Sequence, residues 1–450
     1  MSATDERVRL EFANSPAALS PARVTDPIAA MTALAASDRF GEYVVYEKPG
    51  EWVFAADPVG SVELDADELR VTWGGDTTRG PWTGRPAQVI DTALAGLPIG
   101  RRNGYGWIGF EFCAWALNAT EHVHPRAAVA QIMIPRIEVR MDASGIQISG
   151  ASTDEAGDIL ALIGAAQGTS LPTAHPVDIG LDPTGYQDRV ATAVAEINSG
   201  KYQKVILSRK VDLPFAVDIP SSYRLGRMHN TPARSFLLRL GGLEAAGFSP
   251  ELVASVDRDR VVTTEPLAGT RAFGRGSEVD MAARADLISD PKEIVEHAIS
   301  VQLSFAEIAT VAEPDTTAVS DFMAVRERGS VQHLASTVRG RLAADRSPWD
   351  ALEVLFPSVT ASGIPKTGGV DAVFRLDHDQ RGLYSGAVVT VSPDGELEAT
   401  LVLRAVYQTS TGAWLRAGAG VVGQSKPERE FEETCEKLGS VAPYVVRAAH

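Results

Sequence analysis

Cysteine is nearly absent: Cys113 and Cys435 are the only two in 450 residues. That excludes a disulfide framework and a cysteine-rich zinc site, and it fits a chain expected to work in a reducing cytoplasm. Positive charge is also short. The 42 Lys and Arg face 58 Asp and Glu, a net charge of −16, which argues against a nucleic-acid or anionic-membrane surface. A small anionic substrate would need local Arg, Lys or a metal cation. No apolar run approaches the ~18 residues that cross a membrane, and the opening MSATDERVRL has no apolar signal core. A Walker A loop, a Gly-x-Ser-x-Gly elbow and a His-Glu-x-x-His pair are missing too.

What remains is an ordinary globular composition, 44% hydrophobic and 22% charged, with ample material for a core. The length suggests two or three domains, or one large one. Residues 43–56 read as a hairpin, YVVYE, a Lys-Pro-Gly turn and EWVFAA. SVELD, ELRVTWG, QIMIPRIEVRMD and IQISG read as further strands, and a helix is expected near 155–166. The Pro-, Gly- and Thr-rich segment 168–185 reads as a linker. It divides an N-terminal portion, 1–180, from a catalytic portion, 186–450. After it come a helix YQDRVATAVAEINSG, a strand KVILSRKVDL, and the strands SFLLRL, ELVASV and RVVTTEPLAGT. Two helices over about 278–311 follow, then GLYSGAVVTVS, EATLVLRAVYQ and WLRAGAG. Short turns such as SPDGE and VDRDR favour antiparallel α+β sheets over a doubly wound parallel sheet.

Two Gly-x-Gly-x-x-Gly matches invite a dinucleotide reading. GYGWIG (104–109) runs into FEFCAWAL with no helix start, so a glycine-rich strand is expected. The second, Gly418, Gly420 and Gly423, lies between a strand and a helix, as a Rossmann turn requires. No further strand or distant acidic residue follows it. His122 and His124, beside Pro125, read as an exposed loop, and neither cysteine has a nucleophile signature around it.

Two helices carry paired carboxylates. After Ser425, a capping-box pattern with Glu428 and Pro427 starts a helix whose apolar stripe is Phe431, Cys435, Leu438 and Val441. Glu430, Glu433 and Lys437 share one edge of that stripe, Glu432 and Glu436 the other. Taken alone, Glu433 and Lys437 are an i,i+4 surface pair worth ~0.3–0.5 kcal/mol. In SDPKEIVEHAI, Asp290 caps a helix starting at Pro291 and Glu293 reads as a candidate capping-box partner. Glu296 borders an expected stripe of Ile294, Val295, Ala298 and Ile299. Two Glu-x-x-Glu pairs could converge on one hard cation, and all-oxygen ligation suits Mg²⁺. A di-iron bundle would want Glu-x-x-His instead. Spacing alone does not bring the helices together.

The chain resembles the chorismate-utilising enzymes, the family of anthranilate synthase component I, aminodeoxychorismate synthase, isochorismate synthase and salicylate synthase. The resemblance rests on YQKVILSRK (202–210), GFSPELV (247–253), TEPLAGTR (264–271), DPKEIVEH (290–297), RGSVQHLAST (328–337), FPSVTASGIPK (356–366), GLYSGAV (382–388), LRA (403–405), RAGAGVV (416–422) and EREFEETCEKL (428–438), in the family's order. Length and wording are most similar to the family's salicylate synthases of mycobactin-type siderophore pathways. The resemblance implies an anthranilate synthase component I-like α+β fold. Two large antiparallel sheets pack together with helices outside and the active site in a cleft. It also implies Mg²⁺ dependence.

By the same resemblance Glu296 and Glu433 ligate Mg²⁺, and Glu293 and Glu430 support it. Tyr384 and Arg404 hold the enolpyruvyl carboxylate, Arg as a planar fork. Gly418, Ala419 and Gly420 let backbone N–H groups approach a carboxylate, Lys437 adds positive charge, and Gly269 and Thr360 join substrate binding. Lys204 is the base that activates water, which calls for burial or a cationic neighbour to lower its pKa. Glu251 is the general acid for the departing hydroxyl. Ala268 stands where lysine-nucleophile relatives carry Lys. Thr270 and His333 line the region where pyruvate leaves. The expected activity is chorismate to isochorismate to salicylate, in a monomer with no glutaminase subunit. An isochorismate synthase that stops at the intermediate shares nearly all of this. Lys204 opposes an amine-adding synthase, and the intact set of charged residues opposes a non-catalytic homologue.

Overall fold

The computed structural model describes residues 24–328 and 331–449; the opening MSATDERVRL and part of RGSVQHLAST lie outside the described residues. Two 15-residue strands, Glu51–Asp65 and Ala128–Asp142, pair antiparallel along almost their whole length. Their register shifts between Pro58 and Gly60, next to Asp57 with φ 54°. A shift of this kind bends a ribbon, and here the two ends enter different sheets.

The first sheet continues from Tyr43–Lys48 through Arg234–Leu240, Leu243–Ser249, Ala405–Thr409 and Gly412–Val421 to Lys204–Leu213 and the short Gly363–Ile364. The second passes through Gly104–Ile108, Ala387–Val391, Leu397–Leu401, Leu252–Val256 and Val261–Thr264 to Val331–Arg341. That last strand also pairs with Leu267–Ala272 and Ala318–Arg328. All these pairings are antiparallel. Between the sheets lies a core of Val44, Tyr46, Phe236 and Leu238 facing Tyr105, Trp107 and Val388. Helices Pro27–Ala36, Thr153–Ala166 and Ile219–His229 cover the outside of the first sheet, and Pro86–Ala95 and Pro348–Leu355 cover the second. Tyr186–Asn198 and Lys366–Leu376 back the Lys204 strand. This is the expected α+β arrangement of two packed antiparallel sheets with helices outside.

GYGWIG forms the strand Gly104–Ile108, as expected. The Gly418 strand runs antiparallel to Lys204–Leu213, whereas a Rossmann turn needs a parallel neighbour, so the second glycine match carries no dinucleotide fold. His122 stands in a short 3₁₀ turn stacked on Phe374, and His124 is exposed. Segment 168–185 contains no helix or strand, but it is fastened. Arg209 donates to the carbonyls of Ile179 and Leu181, and Arg224 to that of Thr169. Strands from either side of it pair directly, Tyr43–Lys48 with Arg234–Leu240 and Gly104–Ile108 with Ala387–Val391.

Two expected strands are shorter than read. GLYSGAVVTVS is extended only from Ala387, and EATLVLRAVYQ breaks between Leu401 and Ala405. The cause is backbone geometry: Ser385 (φ 59°) and Arg404 (φ 51°) adopt the left-handed region, which ends an extended run and concentrates at functional sites. The two breaks pair with each other, Ser385 N–H to Val402 O at 2.9 Å and Val402 N–H to Gly386 O at 2.9 Å. No described helix is long and apolar enough to cross a membrane.

Candidate active site

The two carboxylate helices, Pro291–Ala309 and Pro427–Leu438, flank the start of the Lys204 strand. Asp290 caps the first as expected, accepting the N–H groups of Lys292 at 2.9 Å and Glu293 at 3.4 Å. The expected apolar stripe is wrong. Val295 is 56% exposed, and the buried face is His297, Ser300, Val301, Ser304 and Ile308. Two of the buried polar members find partners, His297 Nε2 with Ser336 Oγ at 2.7 Å and Ser300 with the Glu296 carbonyl, while His297 Nδ1 has none among the described residues. The Ser425 capping box is also absent. Lys426 is the N-cap residue, and Ser425 Oγ instead accepts the Val422 N–H at 3.0 Å. On this helix Glu430, Thr434 and Leu438 face inward.

Each of the four carboxylates has a cationic or polar neighbour of its own. Glu296 is ion-paired with Lys204, Glu433 with Lys437 at 2.8 Å and Glu293 with Arg271 at 3.2 Å. Glu293 therefore does not reach back as a capping-box partner. Burial raises the pKa of Glu430, the Ser425 hydroxyl opposes that, and Glu433 adds to it. Burial also pushes Glu433 upward, but Lys437, with Arg429 and Lys204, outweighs it and the net shift is downward. The helices share one field: Lys292 of the first acts on Glu430 of the second, and Lys204 touches Glu296 while acting on Glu433. Among the described residues no three His, Cys, Asp or Glu side chains are gathered tightly enough to hold a metal. The donor chemistry nonetheless fits Mg²⁺, since carboxylates from two helices flank one ammonium. A divalent cation entering there would compete with Lys204 and Lys437 for Glu296 and Glu433.

Lys204 is buried, as expected, but its close neighbour is the Glu296 carboxylate rather than a cation. A Cβ on Gly420 would lie 3.1 Å from Lys204 Cε, and one on Gly418 2.9 Å from Tyr384 Oη. These glycines therefore let the strand wall close against both side chains. We expect Gly420→Ala to fold normally while displacing the flexible lysine. Turnover of the native substrate should fall by about ten-fold with little change in melting temperature, checked by kinetics beside a thermal melt.

Glu251 immediately precedes the strand Leu252–Val256. Its side chain is 1% exposed, and burial raises its pKa to about 7 against the opposing hydroxyls of Ser358 and Thr360. Ser358 Oγ donates to Oε1 at 2.6 Å, while Oε2 has no hydrogen-bond partner. Thr360 donates to the Leu267 carbonyl at 3.2 Å. The segment holding these hydroxyls continues into Gly363–Ile364, which pairs with Val205 and Lys204, so one stretch of chain runs from the Glu251 carboxyl to the Lys204 strand.

Thr270 and His333 meet, Oγ1 to Nδ1 at 2.9 Å. Gly269, at φ 72°, sits at the register shift between Ala268 and Thr270. His333 Nδ1 also lies 3.3 Å from the Gly269 carbonyl, and Nε2 lies 3.3 Å from Arg404 Nη2. Guanidinium only donates and a carbonyl only accepts, so these contacts assign the ring proton to Nδ1. Arg404 also acts on Glu251 and on Lys437, and Lys437 donates to the Gly418 carbonyl at 2.8 Å. Tyr384 is 2% exposed. Among the sixteen residues singled out from the sequence, these contacts link Lys204 with Glu296, Lys437 with Glu433 and Gly418, and His333 with Gly269, Thr270 and Arg404. Sequence reading missed Ser358, Arg271 and Glu265, the last a carboxylate that helps raise Glu251. Arg271 ends the very block TEPLAGTR, which was the available signal.

A family model for chorismate binding enzymes matches residues 41–443. A salicylate synthase from Mycolicibacterium paratuberculosis is 55% identical over 420 residues, 93% of this chain and 93% of that protein. An anthranilate synthase component 1 from Streptomyces coelicolor is 36% identical over 292 residues, 63% of this chain and 57% of that protein. Among solved structures, anthranilate synthase component I from Streptococcus pneumoniae superimposes with TM-score 0.74 at 22% identity, covering 96% of this chain and 100% of that one. A menaquinone-specific isochorismate synthase from Escherichia coli gives 0.71 at 19% identity, covering 93% and 91%. These two likenesses establish the shared fold.

Proposed function

The chain belongs to the chorismate-binding enzyme family, and from that premise we propose that its cleft adds water to chorismate to form isochorismate and then expels pyruvate to leave salicylate. The observation that carries this reading is the buried base and acid, Lys204 and a Glu251 carboxyl poised near pH 7, in a chain so similar to a salicylate synthase.

Lys204 takes a proton from water as the oxygen adds to the ring carbon beside the ring carboxylate. The ring double bonds shift, and Glu251 delivers a proton to the hydroxyl that leaves as water, so no atom is gained or lost overall. In the second half, a ring hydrogen passes to the enolpyruvyl methylene as the ether C–O bond breaks, releasing pyruvate and an aromatic ring. The protein's part there is to hold the reactive conformer. Arg404, kept in place through His333 and Thr270, and Tyr384 grip the enolpyruvyl carboxylate.

Enzymes of this family depend on Mg²⁺ in general, and Glu296 and Glu433, supported by Glu293 and Glu430, are the residues that would hold it. When bound it supplies Lewis-acid and charge-neutralising chemistry at the ring carboxylate. We read the product as one destined for a siderophore of the mycobactin type, made by a monomer without a glutaminase subunit.

The test is product analysis of purified protein with chorismate and Mg²⁺, with and without ammonium, and with EDTA as control. Salicylate with equimolar pyruvate is expected. Isochorismate alone would restrict the activity to the first half, and anthranilate would overturn the role given to Lys204. A pH profile follows from Glu251. Its raised pKa means that the proton is present below about 7 and lost above it. Water addition should decline as pH rises through that value. The same group contributes stability fully present below the unfolded carboxyl pKa, and it is lost as pH rises through about 7. Glu251→Gln should abolish water addition and flatten the loss of melting temperature between the unfolded carboxyl pKa and about pH 7. An unchanged alkaline limb in that variant would remove Glu251 as the acid.

A further inference from the structure

Behind the Tyr384 wall lies a buried cluster that the chemistry above does not use. Asp377 ends helix Lys366–Leu376, and its side chain is 2% exposed. Arg381 donates to it at 2.8 Å, Arg416 at 3.3 Å and Ser208 Oγ at 2.6 Å, while Arg189 stands 3.6 Å away. Three guanidinium groups thus share one carboxylate in the interior. Such an uneven set costs more desolvation than a matched pair, and clusters of this kind concentrate at functional sites.

The network reaches the segments that carry Thr360, Lys204 and Gly418. Arg381 Nη1 donates to the Ala361 carbonyl at 2.7 Å, beside Thr360, and Nη2 donates to the Ile206 carbonyl, two residues beyond Lys204. Arg416 precedes Gly418 by two residues. It donates to Ser208 Oγ at 2.9 Å and to the Gln380 carbonyl at 2.8 Å. Ser208 pairs with Gly418 across the strands. The Arg381 and Arg416 guanidinium carbons lie 5.6 and 5.5 Å from the centre of the Tyr384 ring.

We infer that the Asp377–Arg381–Arg416 network positions Tyr384 and the Gly418 strand and holds surplus positive charge behind them, so that the cleft recognises the enolpyruvyl carboxylate. Asp377, Arg381 and Arg416 are positioning residues, since Tyr384 and the glycine backbone stand between them and the substrate. The charge surplus explains how a chain with net charge −16 presents an attractive wall to a dianion. This inference rests on the proposed chorismate reading.

The test compares Ser208→Ala and Arg416→Lys with wild type, at saturating Mg²⁺, in kinetics with chorismate, inhibition by salicylate and a thermal melt. Salicylate has a ring carboxylate but no enolpyruvyl group. For Arg416→Lys, KM for chorismate should rise at least about ten-fold with kcat within three-fold, and for Ser208→Ala about three-fold, with the salicylate inhibition constant unchanged. A merely structural role would instead lower kcat through lost active protein and leave KM alone; that result overturns the inference. So does a parallel rise in the salicylate constant. Should Arg416→Lys not fold, Ser208→Ala decides, because it removes one hydroxyl and leaves the Arg381–Asp377 pair. If wild type itself makes neither isochorismate nor salicylate, the chorismate reading fails. Chorismate-induced thermal shifts of the same variants then still decide whether the network governs anion binding.

Discussion

Lys204→Ala should lose conversion of chorismate by about 10²–10⁴-fold, the usual contribution of a positioned proton-transfer group, yet still release pyruvate from supplied isochorismate. The two halves of the reaction ask different things of the cleft. Water addition needs a base at the ring face, the role proposed for Lys204, which is buried at the start of its strand. Pyruvate release needs the enolpyruvyl arm held near the ring hydrogen, which depends on Tyr384, Arg404 and the Thr270–His333 pair. Removing the ammonium should leave that side intact. The substitution also frees Glu296 from its ion pair. Apparent Mg²⁺ affinity should therefore stay level or tighten, because the competing cation is gone. A coupled assay for pyruvate with each substrate in turn, plus a Mg²⁺ titration, reads all three outcomes. Normal water addition would remove Lys204 as the base. Loss of both halves together would mean that the lysine organises the whole site.

What the sequence made legible was local. The Asp290 cap, the Glu-x-x-Glu spacing on both helices and the extended Lys204 strand all appear where their periodicity and capping residues put them. Hidden features depended on contacts remote in the chain. Ser358 reaches Glu251 across 107 positions, and Ser208 reaches Asp377 across 169; no spacing rule links such pairs. The stripe on helix Pro291–Ala309 failed for a related reason. Its inner face meets the strand carrying Ser336, which offers a hydroxyl to His297, so polar residues could be buried while Val295 was left outside. The Ser425 box failed because the preceding turn claimed the hydroxyl for Val422 before the helix could use it. Arg404 and Ser385 show a third limit. Nothing in their residue type announces a left-handed backbone, and only the pairing of the two breaks across the sheet explains it.

Glu433→Gln should reduce Mg²⁺-supported turnover by at least about 100-fold while leaving the fold intact. The side chain keeps its shape and loses its charge. Among the described residues its one close ion pair is the i,i+4 contact with the half-exposed Lys437, and such a pair contributes about 0.3–0.5 kcal/mol, too little to unfold the chain. Glu432→Gln is the matched control. That carboxylate sits one residue away, largely exposed, and pairs with Arg429 on the solvent side, so turnover should be unchanged. A readout independent of activity is the Mg²⁺-dependent rise in melting temperature, which follows the free energy of metal binding. It should shrink in Glu433→Gln and persist in Glu432→Gln. The rival account is that Glu433 serves only to hold Lys437 over the Gly418 carbonyl. On that account the Mg²⁺ titration midpoint stays at the wild-type value and KM for chorismate rises instead, and Lys437→Met reproduces the change. A midpoint displaced to higher Mg²⁺ in Glu433→Gln but not in Lys437→Met would assign the carboxylate to the metal and the ammonium to the substrate.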